Sequence, residues 1–413
     1  MLPIKFVLLI FWAIVTNVVI AQKSNSIALQ QLRVDVVYLA SDLLEGRETG
    51  THGEQLAAEY IAARFAQIGL KPAGKDSTWL QPFNWKYNFN PHAVTAGEDR
   101  TGHNVAAFLD HGAATTVVIG AHYDHLGHGG ASSLAANDTS VHNGADDNAS
   151  GVAALLHIAQ YLKNSGRAKQ NNYLFLAFSG EELGLIGSKF WVNNPTIALN
   201  KINYMLNMDM VGRLNPEKVL AVNGAGTSPA WKEALTGLQV GGIQVKTSDS
   251  GVGPSDHTSF YLADKPVLHF FTGQHTDYHK PADDSEKINY EGLLNVGDFI
   301  IQLIEKLDQK GKLVFTKTKD EDQNRRAASF KVTLGVMPDY VYTGEGMRVD
   351  GVMDGRPGAK AGLQKGDVII QMGDVPVKDI YGYMEGLSKF KTGEKTKVKV
   401  KRGEELKEME VTF

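Results

Sequence analysis

Between Asn104 and Leu307 the chain alternates between two apolar rhythms. NVAAFLD (104–110), TTVVIGAHYD (115–124), Asn172–Phe178, Ile202–Met210 and Val267–Phe271 are nearly continuous apolar runs of strand length, the pattern of strands buried on both faces. The segments Ala149–Asn164, Leu183–Val192, Pro229–Leu238 and Tyr290–Leu307 carry apolar residues at helical spacing instead. Upstream, Gly53–Leu70 reads as a helix with Leu56, Ala57, Tyr60, Ile61, Phe65 and Ile68 on one side and Gly69 as its stop. Strands that alternate with helices predict an α/β domain, with a mostly parallel central sheet flanked by helices.

Beyond Leu307 the pattern changes. KTKDEDQNRRA (317–327) is almost wholly polar and reads as part of a charged linker over 313–328. Residues 329–413 predict a small β-rich domain with one helix near Tyr381–Leu387 and a closing hairpin. In that hairpin Val398 and Val400 alternate with Lys; across a turn at Gly403, Met409, Val411 and Phe413 alternate with Glu and Thr. At the other end, Lys5 precedes the apolar run Phe6–Ala21, with Val19 and Ala21 in cleavage-site positions. The run is short for a span of about 20 residues and has the form of a secretory signal, residues 1–21. The expectation is an exported, periplasmic or extracellular, bacterial protein, with a first domain over 22–312 and no stable membrane span after cleavage.

Composition narrows the chemistry. Of 413 residues 43% are hydrophobic and 21% charged, with a net charge of −4, so nothing points to nucleic acid as a partner. There is no cysteine. Disulfides and thiolate metal sites are excluded, and a metal would need His, Asp and Glu.

Such residues gather where the apolar runs end. Glu181 and Glu182 follow the strand that finishes at Phe178, with no Lys or Arg directly beside them. His122 and Asp124 close another strand, and Asp146 and Asp147 precede a helix. Asp209 lies in an apolar run, and His275, Asp277, His279 and Asp283 follow VLHFF. In open α/β sheets the carboxyl ends of strands line the ligand crevice, so these places can converge. Any one of them alone could be a helix cap or a turn residue. Several acids buried together repel and are costly to desolvate, a cost that divalent cations remove. His122, Asp147, Glu182, Asp209 and His279 suffice for two metals with one bridging Asp and a shared hydroxide. Glu181 then fits a general base that carries the water proton to the leaving amine.

The ordered segments HYDH, GADDNASG, EELGLIGS, NMDMVG and YHKPAD resemble the dizinc exopeptidases of metallopeptidase family 28, over Leu32 to Leu307. That family includes secreted aminopeptidases and glutamate carboxypeptidases, with glutaminyl cyclases as relatives. The resemblance implies His122, Asp209, Glu182 and His279 as ligands, Asp147 as the bridge and Glu181 as the base. Asp124 would support the site and Tyr278 would donate to the oxyanion. Ser255-Asp256-His257 resembles a recurrent supporting segment, and His125, His128 and His142 are expected to line the cleft rather than bind metal.

LGVMPDY and PGAKAGLQKGDVIIQMGDVPV resemble a PDZ domain of the kind attached to bacterial proteases. Gly335 would lie in its carboxylate-binding loop, and a peptide C-terminus would add beside it as a strand. The implied function is an aminopeptidase acting on peptide or protein N-termini with two Zn2+ per chain; Mn2+ or Co2+ suits the same donors. The alternatives are a carboxypeptidase gripping its substrate through Arg213, a single-zinc glutaminyl cyclase, and an inactive binding protein. A serine hydrolase is unsupported, since no G-x-S-x-G elbow occurs.

Overall fold

The computed structural model describes residues 26–87, 98–130, 132–135, 138–318, 332–338, 342, 344–352, 355–378 and 380–413. The expected export signal, residues 1–21, lies outside these residues.

The apolar runs form the centre of one sheet. Strands β1 (Lys71–Pro72), β2 (Leu80–Tyr87), β3 (Glu98–Leu109), β4 (Thr116–His122), β5 (Asn172–Phe178), β6 (Ile202–Met208), β7 (Val219–Asn223), β8 (Gln244–Ser248) and β9 (Val267–Phe271) lie in the order β1-β3-β5-β4-β6-β9-β7-β8, with β2 also on β3. The four central strands β5, β4, β6 and β9 are mutually parallel, as the alternation with helices predicts. The flanks make the sheet mixed: β3 runs antiparallel to β5, and β7 antiparallel to β9. Neither β7 nor β8 was foreseen from the sequence; both are short, and β8 is largely exposed.

Both faces of the centre are covered, which is why these strands lack polar alternation. Along β5, Tyr173, Phe175 and Ala177 join one core, while Leu174, Leu176 and Phe178 join the other. The larger core takes helix α1 (26–39), α2 (His52–Ile68), α3 (Gly151–Ser165) and α7 (Tyr290–Leu307). The opposite core takes α4 (Ile186–Asn193) and α6 (His257–Tyr261), with Trp191 stacked on Phe260 at 5.3 Å. Between them in sequence lies the short α5 (Ala230–Leu235). Thr51 caps α2 by accepting the Glu54 N–H, and Gly69 ends it at φ 84°. Asn289 caps α7 by accepting the Gly292 N–H at 2.9 Å.

The first residues of the segment expected as a linker are packed on the domain before them. Leu313 is buried, the Thr316 N–H donates to Thr227 O, and the Thr318 N–H donates to the Tyr261 hydroxyl at 2.9 Å. Residues 319–331 lie outside the described residues.

The C-terminal domain has its own sheet, in the order β10 (Val336–Pro338), β11 (Met347–Val352), β12 (Val368–Met372), β14 (Lys395–Arg402), β15 (Glu405–Thr412), with β13 (Val375–Pro376) on β12. A helix spans Ile380–Ser388. The hairpin pairs Val398 with Met409 and Thr396 with Val411. Its buried face is Val398, Val400 and Val411, and its lysines meet glutamates outside, as Lys397 meets Glu408 at 2.6 Å. Among the described residues no helix is long and apolar enough to cross a membrane.

Candidate metal centre

Because β4, β5, β6 and β9 are parallel, their carboxyl ends open on the same edge of the sheet. His122 is the last residue of β4, Glu181 and Glu182 follow β5, Asp209 follows β6, and the loop after β9 carries His279. Asp147 enters from the helical turn Ala145–Ser150 that leads into α3.

All five expected ligands meet there. His122 Nε2 lies 3.3 Å from Asp209 Oδ1 and 3.3 Å from Asp147 Oδ1. His279 Nε2 lies 3.2 Å from Asp147 Oδ2 and 3.2 Å from Glu182 Oε2. One oxygen of Asp147 therefore faces each histidine. His122, Glu181 and Asp209 each bring a ligand atom within 4.8 Å of the others, and His125, Asp147 and Glu182 do the same. Tyr278 stacks on the His279 ring at 3.8 Å and lines the cleft.

The charges are out of balance in one direction. Burial works against protonating His122, yet Asp209 and Glu181 outweigh it and raise its pKa well above the usual value. His279 is raised in the same way by Glu182 and Asp147, against its burial. Burial would raise Glu182, but His279 and His125 pull it down to about 2. Glu181 goes the other way: burial, reinforced by Asp209 and Asp256, pushes it well above the carboxylate range. Two adjacent glutamates thus have opposite proton affinities.

Asp124 holds the glutamate pair in place. Its carboxylate accepts the N–H of Glu181 at 3.2 Å, the N–H of Glu182 at 3.4 Å and the Thr49 hydroxyl at 3.0 Å. Asp146, the neighbour of the expected bridge, accepts the Gly212 N–H at 2.6 Å and faces His275 at 3.2 Å.

Four features go beyond the sequence reading. His125, expected merely to line the cleft, is buried with Nδ1 2.8 Å from Glu182 Oε1. Asp283, which resembled a helix cap, accepts the N–H groups of Asp146 and Asp147 at 2.9 and 3.0 Å and so fixes the turn that carries the bridge. Asp256 is fully buried with neither oxygen hydrogen-bonded, and burial raises it to about 7.

The fourth is a cation. Arg47 is fully buried and donates to the carbonyls of Leu39, Tyr123, Asn143 and Gly144, joining the His122 and Asp147 loops. Burial lowers its pKa to about 10, and Asp124 and Asp147 offset part of that. Its partners lie up to 97 positions away, so nothing in its local sequence announces the role. Arg213, by contrast, is engaged by Asp277 at 2.8 Å and lies 3.7 Å from Asp283.

Residues 104–304 match the model of peptidase family M28, and 316–413 match that of the PDZ domain. The chain carries an M28 peptidase domain with a PDZ domain behind it. The chain is 33% identical, over 243 residues, to leupeptin-inactivating enzyme 1 of Streptomyces exfoliatus, in a match covering 58% of this chain and 47% of that protein. The chain spans about half or less of the curated relatives it matches first. Among solved structures, a zinc aminopeptidase from Bacillus subtilis aligns with TM-score 0.54 and 18% identity, over 70% of this chain and 98% of that one. Glutaminyl cyclase of Porphyromonas gingivalis aligns as well, with TM-score 0.55 and 19% identity, over 67% and 98%. At such identities these structures share a fold with the M28 domain, and the fold alone does not choose between their reactions.

Proposed function

We propose that this M28 peptidase is an exported aminopeptidase that releases N-terminal residues from peptides, with two zinc ions held by its own side chains. The observation that carries the reading is the Asp147 carboxylate, which faces His122 with one oxygen and His279 with the other. His122, Asp147 and Asp209 would hold one ion; Asp147, Glu182 and His279 would hold the second. The donors fit a cation. His279 Nδ1 donates to Ser132 O at 2.9 Å, which leaves Nε2 with its lone pair toward Asp147 and Glu182 and without a hydrogen bond of its own. The raised proton affinities of both histidines express the same demand for positive charge. N and O donors suit zinc, as the family does.

When bound, the ions lower the pKa of water and polarise the scissile carbonyl. The remaining work falls to the chain. Glu181, pushed up by burial, takes the proton from the attacking water and delivers it to the leaving amine. Asp124 holds the Glu181 and Glu182 backbone so that one carboxylate faces the proton and the other the ion. Tyr278, beside His279, donates to the developing oxyanion. The substrate's free amine enters a cleft walled by carboxylates, which suits a cation.

Arg213 is the group a carboxypeptidase would need, and its ion pair with Asp277 leaves it poorly suited to a substrate carboxylate. A binding protein on a disabled site would lack ligands, yet all five are assembled.

The test is a peptide panel with N-acetylated and C-amidated versions, with zinc counted in the same sample. Loss of cleavage on acetylation alone, with about two zinc ions per chain, supports the reading. Loss on amidation alone makes the protein a carboxypeptidase.

A further inference from the structure

The cavity of about 70 Å³ that expected metal ligands line is completed by Met210, Asn223, Pro254, His269, Phe271 and Gln274, which wall a recess beside them. Met210 and Phe271 make part of it apolar. The rest is polar and unmet. His269 is buried on β9, and its Nε2 has no hydrogen-bond partner. Gln274 Oε1 is likewise buried without a partner.

The sheet determines which atom of His269 is free. Asn223 on β7 lies opposite His269, and Ser248 on β8 lies opposite Asn223. The Ser248 hydroxyl donates to Asn223 Oδ1 at 2.7 Å. That orients the Asn223 amide so that its Nδ2 donates to His269 Nδ1 at 3.2 Å. Nδ1 is then the acceptor, and Nε2 carries the proton. The His257 ring stacks on His269 at 4.5 Å with 4° between planes, which resists rotation. The recess thus offers one fixed donor and one acceptor, both without partners. A buried polar atom left unmatched is costly, whereas an apolar wall is indifferent.

We propose that this recess receives the side chain of the released residue. It selects an uncharged side chain that both accepts and donates a hydrogen bond, through His269 Nε2 and Gln274 Oε1. The carboxamides of asparagine and glutamine and the hydroxyls of serine and threonine have this chemistry. Leucine and valine, of matching shape, leave both atoms unmet. Aspartate offers no donor to Gln274 and adds a charge beside Glu181 and Asp209. The inference rests on the aminopeptidase reading and goes beyond it, by naming the substrate class.

The experiment uses the zinc-loaded full chain and peptides differing only in their first residue, paired by shape: Asn against Leu, Thr against Val, Asn against Asp. The expected result is a kcat/KM at least about tenfold higher for Asn over Leu and for Thr over Val. His269→Phe should narrow both ratios to within about threefold at unchanged zinc content, and Gln274→Met should narrow them in the same direction. Active protein that prefers Leu and Val overturns the inference and leaves the aminopeptidase intact. So does a preference that survives both substitutions. Failure to cleave any peptide with a free N-terminus overturns the aminopeptidase reading and this inference together.

Discussion

The two halves of the candidate centre are built differently. His122 and Asp209 come from the ends of β4 and β6, neighbouring parallel strands in the middle of the sheet. Their separation follows from strand spacing, and a ladder of backbone hydrogen bonds enforces it. Glu182 and His279 sit on loops after β5 and β9. Glu182 depends on Asp124, and His279 on contacts with the loop near Ser132, where its carbonyl accepts the Leu134 N–H at 2.9 Å. Asp147 serves both halves and is itself fixed by Asp283. The sheet preforms one half, while a few polar bonds, each removable by itself, hold the other.

The largest expected effect lies where the halves meet. Glu181→Gln should keep both ions and lower kcat on the order of 10³-fold. Metal analysis of the same sample checks the role, since loss of zinc would make Glu181 a ligand.

Next comes the shared support. Arg47→Met leaves buried carbonyls of both loops without a donor and should destabilise the fold by about 4 kcal/mol, read from the denaturant midpoint. An unchanged midpoint would mean that the halves are held independently.

The asymmetry itself predicts two-phase metal loss on chelation. His279→Ala should remove the faster phase and retain about one zinc ion, with the slower phase belonging to His122 and Asp209. Equal rates would erase the distinction. Asp283→Ala should weaken metal binding roughly tenfold to a hundredfold by freeing the turn that carries Asp147, measured by competition with a chelator. The smallest effect is expected from removing 329–413, which should change turnover of short peptides less than about twofold, as the two cores are separate clusters.

The strand-borne half was the legible one. A strand buried on both faces has to read as an apolar run, so a His or Asp at its end stands out; β5, β9 and α7 fall where their patterns place them. The loop-borne candidates, Glu182 and His279, came from the acids and histidines that follow the apolar runs, and the resemblance then gave each a role, since no periodicity marks His279. What stayed hidden acts through distant partners. Asp283 and Asp147 are 136 positions apart, and Arg47 serves carbonyls contributed by three separate segments. β7 and β8 were missed because both are short and β8 is largely exposed, yet they carry the Asn223 and Ser248 that orient His269.

Arg47 has one more consequence, for anyone cutting the gene into pieces. The match to the family model begins at residue 104, which invites cloning from there. A fragment begun at that point would lack Arg47, Thr49 and both leading helices, although these clamp the very loops that such a fragment is meant to display. The start of that match and the start of the packed domain differ here by more than seventy residues.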